Sequence, residues 1–198
     1  MTFDEKLDEL FQELLRARDT YEAWWNLKNR KVRPKYVDTM NVYSEYFVVA
    51  VHSHFVAMLM ALFRLFDTDK KALSIPTLLA SIQSEPGFPA AVRTKVTAAL
   101  ERAQPSIDKV KLLRDKVFAH RDRSYSYERA FREAGLTANE VRRLTERTLR
   151  IVDDLMRARN KGVYSTFEHK TERDLLAMLR DLHAYRRQNV ASKRKRRG

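Results

Sequence analysis

The chain contains no cysteine. That one absence excludes disulfides, thiolate zinc sites and thiol nucleophiles together. Glycine and proline are scarce, four and five among 198 residues, which leaves little material for the tight turns of an all-β fold. No glycine-rich loop of the kind that cradles phosphate occurs, arguing against a P-loop or dinucleotide site. Serine-hydrolase signatures are absent as well. The N-terminus, Met1-Thr-Phe-Asp-Glu-Lys6, is acidic and amphipathic and lacks the apolar core of a signal peptide.

Strong helix formers fill the space these absences leave: Leu, Ala, Arg, Lys and Glu dominate. Composition and periodicity predict an all-α protein, a helical bundle of about six to seven helices. One helical domain is expected over residues 1–188, followed by a disordered basic tail over 189–198, whose end has no apolar residue. Phe3, Leu7, Leu10, Phe11, Leu14 and Leu15 recur at helical spacing and predict a first helix from about Thr2 to Asn29. Arg33-Pro34 interrupts it. A second long helix is expected over Tyr36–Phe66, apolar around much of its circumference as a central bundle element would be. Its most apolar stretch, Phe47–Phe66, is long enough to span a membrane. His52, Ser53, His54 and Arg64 within it favour a buried core helix, and with it a soluble, cytoplasmic protein without membrane contact.

Further along, Ser74 and Pro76 mark a short helix ending near Ser84, before the dense turn signal Glu85-Pro-Gly-Phe-Pro89. A helix from Pro89 to about Ala103 and another opening at Pro105 follow. The latter is expected to end soon after His120. Tyr127–Ala134 reads as a short helix stopped by Gly135. Thr137-Ala-Asn-Glu140 reads as a capping box that opens a long helix to about Asn160, closed by Lys161-Gly162. A last helix covers roughly Thr171–Arg187.

The formal charge is +13. Arg186, Arg187, Lys193, Arg194, Lys195, Arg196 and Arg197 account for +7 of it and the rest of the chain for +6. Both parts are positive, which suits a polyanionic partner such as RNA and equally a solvated basic surface. The five histidines offer no metal set: His52 and His54 diverge by about 200° around a helix. Neither HExxH nor Glu-x-x-His occurs. No metal and no cofactor is expected.

One segment is chemically distinctive, Arg114-Asp-Lys-Val-Phe-Ala-His120. In an ideal α-helix Arg114 and His120 stand six positions and about 240° apart. They form a site only if the helix ends near His120 or a second chain supplies the other half. Read structurally, the same residues are an ion-pairing and capping set, since histidine near a helix C-terminus is favourable in itself.

Arginine, a polar residue, then histidine a few positions on is the signature of the HEPN superfamily, helical domains of prokaryotic toxin and defence systems. Leu113-Arg-Asp-Lys-Val-Phe-Ala-His-Arg-Asp122 resembles its abortive-infection, AbiU-like branch. So do Leu62-Phe-Arg-Leu-Phe-Asp67 and Leu73-Ser-Ile-Pro-Thr-Leu-Leu79, and the likeness covers roughly residues 40–125. The resemblance implies a metal-independent endoribonuclease whose motifs meet in a homodimer, with an antitoxin or other defence protein as a further partner. His120 would act as general base or acid. Arg114 would fork onto phosphate oxygens. Asp115 would orient one or the other, and Lys116, Arg121 and Arg123 would hold the RNA backbone. The implied alternative is a non-catalytic helical module that binds RNA or protein. Relatives modified by a partner nucleotidyltransferase carry tyrosine two residues after the histidine. Here that residue is Asp122, which puts this form of control in doubt.

Overall fold

A computed structural model describes the chain except residues 83, 84, 86, 120–126, 162–168 and 196–198, and the side chains of 117–119, 127, 128, 130, 131 and 190–195. Among the described residues the regular structure is entirely helical. There are eight α-helices: α1 Phe3–Lys28, α2 Arg33–Val42, α3 Ser44–Leu65, α4 Ile75–Ile82, α5 Ala90–Leu113, α6 Tyr127–Ala134, α7 Ala138–Ala158 and α8 Lys170–Lys195. A π-helical segment, Arg114–Ala119, continues α5. Helix α8 carries helical backbone to Lys195, into the 189–198 segment expected from sequence to be a tail.

The chain divides into two compact units. Met1–Arg18 and Ala57–Thr166 form the first, and Asp19–Val56 with Phe167–Gly198 the second. Its core in the first unit draws Leu7, Leu10 and Leu14 from α1, Leu59, Leu62 and Leu65 from α3, and Leu78 from α4. Val96, Ile107, Val110 and Leu113 of α5 join them. Helix α7 buries Val141, Leu144, Thr145, Thr148, Ile151, Val152, Leu155 and Met156, a stripe with the α-helical period. The two buried threonines satisfy their hydroxyls inside the helix, Thr145 donating to the Val141 carbonyl and Thr148 to that of Leu144.

Helices α5 and α7 pack together and run antiparallel, as two ion pairs show. Lys95 meets Asp154 at 2.7 Å and Lys109 meets Glu140 at 2.6 Å. Lys109 also donates to the Gly135 carbonyl. The capping box at the start of α7 is complete: the Thr137 hydroxyl accepts from the Glu140 amide, and the Glu140 carboxylate accepts from the Thr137 amide. Lys109 and this cap hold the Glu140 carboxyl at a pKa of about 2. At the other end Asn160 adopts φ 53°, and Lys161 N–H returns to the Met156 carbonyl at 3.0 Å. That is a Schellman closure in which Asn160, ahead of the expected Gly162, takes the left-handed position.

In the second unit Leu27, Met40, Phe47 and Leu179 form a small core, flanked by Tyr36, Val51, Leu175 and Leu182. Helices α2 and α8 pack here. The Thr39 hydroxyl lies 3.0 Å from His183 Nδ1, and Arg186 donates to the Asp38 carbonyl. The Tyr36 and His183 rings meet edge to face.

Three expectations need correction. The helix foreseen over Tyr36–Phe66 is two helices. Tyr43 leaves the helical region at φ −111°, ψ 39°, and its amide turns back to the Met40 carbonyl. Asn41, Val42, Tyr43 and Ser44 are four residues of middling helix propensity in a row, so local preference does little to oppose the break. The helices foreseen on either side of Pro105 are one, since α5 runs through it. Proline forfeits a single amide donor there, and the exposed side of the helix accommodates its ring. Finally, α3 is not buried throughout. It is the one described helix long and apolar enough to cross a membrane by length and composition, yet only 33% of that window is buried. Tyr46, Val48 and Val49 in its first half are exposed, whereas Met58, Leu59 and Leu62 in its second half are fully covered.

Candidate active site around Arg114

Arg114 opens the π-helical segment directly after the last α-helical turn of α5. Its amide still bonds back into α5, to the carbonyls of Val110 and Lys111. Beyond it the chain winds with i→i+5 hydrogen bonds, a geometry found mostly as single turns and often at functional sites. The 100° per residue that separates Arg114 from His120 in an ideal α-helix therefore does not hold over 114–119.

Two contacts define the guanidinium. Its carbon lies 3.6 Å from the centroid of the Phe63 ring on α3, a cation–π contact. Nη1 pairs with Asp115 Oδ1 at 2.9 Å. Nε is buried and has no hydrogen-bond partner among the described residues. The side chain is 28% exposed and that of Asp115 50%. Arg114 is thus held by a ring on one side and a carboxylate at one end, with part of its donor fork still open to solvent. A phosphate oxygen is the acceptor such a fork fits best.

Lys116 is exposed on the same segment. His120, Arg121 and Arg123 lie outside the described residues; of the expected set the structure brings Arg114 and Asp115 into contact. Among the described residues no group of three or more His, Asp or Glu could hold a metal ion. Of the α3 histidines, His52 is exposed and His54 is partly buried, with its pKa lowered by that burial.

Phe63 was not singled out from sequence, because a phenylalanine at helical spacing reads as ordinary core. The π-helical winding was equally hidden, since no residue between Arg114 and Ala119 is a helix breaker.

The described regular structure is thus all helical, with an arginine–carboxylate pair where a long helix changes its winding. Residues 2–178 match the AbiU2 family of HEPN proteins, and the chain belongs to that family. The match is wider than the 40–125 likeness seen in the motifs and takes in α1, α7 and the start of α8. No curated protein and no solved structure matches the chain.

Proposed function

We propose that this chain is a metal-independent endoribonuclease of a prokaryotic defence or toxin system, cutting RNA at a site shared by two copies. The observation that carries the proposal is the Arg114 guanidinium, braced by Phe63 and Asp115 with part of its fork open, in a chain of the AbiU2 family. In the reaction the 2′-hydroxyl oxygen attacks the adjacent phosphorus as the bond to the 5′-oxygen breaks. A base removes the 2′-proton and an acid delivers one to the departing 5′-oxygen. The products are a 2′,3′-cyclic phosphate and a 5′-hydroxyl end. His120 of each copy supplies the base or the acid. Arg114 stabilises the charge that gathers on the non-bridging oxygens, and Lys116, Arg121 and Arg123 hold the flanking backbone.

The test is incubation of the purified full chain with a mixed RNA pool in EDTA, with chemical mapping of the ends. Cyclic-phosphate ends are expected. Substituting Arg114→Ala or His120→Ala should each lower the rate by about 10²-fold or more, and sedimentation should report a dimer. Undiminished cleavage by a well-folded His120→Ala protein would overturn the proposal. A non-catalytic RNA-binding module is the second reading, favoured by the excess of basic residues. It predicts salt-sensitive RNA binding with no cut ends.

A further inference from the structure

The second unit contains a cleft of about 490 Å³ between the start of α2 and the first three turns of α8. Val32, Tyr36 and Leu176 give it an apolar lining. Lys35 and Arg180 stand on its walls, together with Arg173, which pairs with Asp174, and Glu172 is the carboxylate in its lining. His169, also at its edge, is held by the buried carboxylate of Glu22.

The surroundings add charge. Arg30, Lys31, Arg33 and Lys35 are four exposed cations within six positions, with no acid among them. None of the four, nor Lys170 or Arg180 on α8, has an ion-pair partner among the described residues. Many cations of the first unit are tied instead: Arg159 to Asp4, Lys161 to Asp8, Lys95 to Asp154 and Lys109 to Glu140. Cations crowded together without internal carboxylates are held apart by hydration alone, and an external polyanion relieves their repulsion.

We infer that this cleft binds single-stranded RNA, its cationic rim tracking phosphates and its Tyr36-containing floor receiving a base. This rests on the RNA-directed reading above and extends it to a part of the chain that carries none of the Arg114 motif. A strand is favoured over a duplex because the cleft is part apolar and includes a tyrosine, and aromatic floors with basic rims are how single strands are held. Cleavage and holding would then be performed by different units.

The experiment uses the full chain and a fluorescein-labelled, fully 2′-O-methylated twelve-nucleotide RNA, titrated by anisotropy at several salt concentrations. This probe lacks the attacking hydroxyl, so binding is read whether or not the Arg114 site cleaves any RNA. The variant Arg33→Ala/Lys35→Ala/Arg180→Ala changes only exposed side chains. It should bind at least tenfold more weakly, with a salt slope shallower by roughly two, about 0.7 per lost phosphate contact. A charge-matched variant in the first unit, Arg102→Ala/Arg143→Ala/Arg150→Ala, should retain most of the affinity. Wild-type affinity in the first variant, or equal loss in the second, overturns the inference. So does a wild-type chain that binds phosphatidylserine vesicles and not the RNA.

Discussion

The Arg114 guanidinium lies 3.6 Å from the centre of the Phe63 ring, joining a partly exposed cation of the proposed site to the buried half of α3. Phe63 is a positioning residue in this arrangement. A partly desolvated cation–π contact contributes about 0.5–2 kcal/mol. Phe63→Leu should therefore slow RNA cleavage by about 3- to 30-fold, chiefly in kcat, for a stability cost of about 1 kcal/mol. In an Arg114→Ala background the same substitution should leave the residual rate unchanged. An equal loss in both backgrounds would make the ring a packing element only.

Glu140 links the cap of α7 to Lys109 of α5. Its pKa falls from 4.5 to about 2 on folding, first through the Lys109 hydrogen bond and next through the Thr137 amide. The sign follows from linkage: the unfolded chain binds a proton more readily, so this stabilisation is complete above pH 4.5 and drains away as pH falls toward 2. Glu140→Gln should lower stability at pH 7 by about 1–2 kcal/mol. The gap to the parent should close as denaturant melts are repeated at successively lower pH through that window. Thr137→Ala, which removes the other half of the box, should cost about 1 kcal/mol.

These two residues were legible in advance, and the reason is instructive. A capping box is a four-residue pattern whose chemistry is local, as is the stop at Gly135, where φ is 55°. Both helix ends were found from sequence for that reason. Pro105 misled because a proline suits a first turn in isolation, whereas here α5 continues through it. The contact between Phe63 and Arg114 spans 51 positions, and no pattern within either helix encodes it. The motif itself was visible as residue types, but the winding that orients it depends on tertiary surroundings.

Asn160 offers a test of that local logic at the opposite end of α7. It sits at φ 53°, which costs a residue with a Cβ about 1–2 kcal/mol unless a short polar side chain eases it. Asn160→Ala should destabilise the chain by about 1 kcal/mol, while Asn160→Gly should be neutral or slightly stabilising. Urea denaturation of the two variants checks this. A more stable alanine variant would show that the Schellman closure is not maintained in solution.

Pro105 lies exposed in the interior of α5. Replacement by alanine restores an amide donor and the higher helix propensity of an interior position. Allowing for the extra freedom of the unfolded chain, Pro105→Ala should raise stability by about 2 kcal/mol, read as an upward shift in the denaturation midpoint. Unchanged stability would mean that the helix has already bent to accommodate the ring.

The π-helical segment also sets the phase of everything that follows it. One turn there consumes more residues than an α-turn, so its end is rotated relative to the register that α5 would have continued. Removing a single residue between Asp115 and Ala119 would let the backbone relax to ordinary α-winding. Five residues at about 100° each turn nearly as far as six at about 80°, so the chain beyond would keep its direction while only the segment's own side chains change register. What re-aims the motif is a return to α-winding at full length, which would turn everything past Ala119 by about 100°, the angle of one α-helical residue.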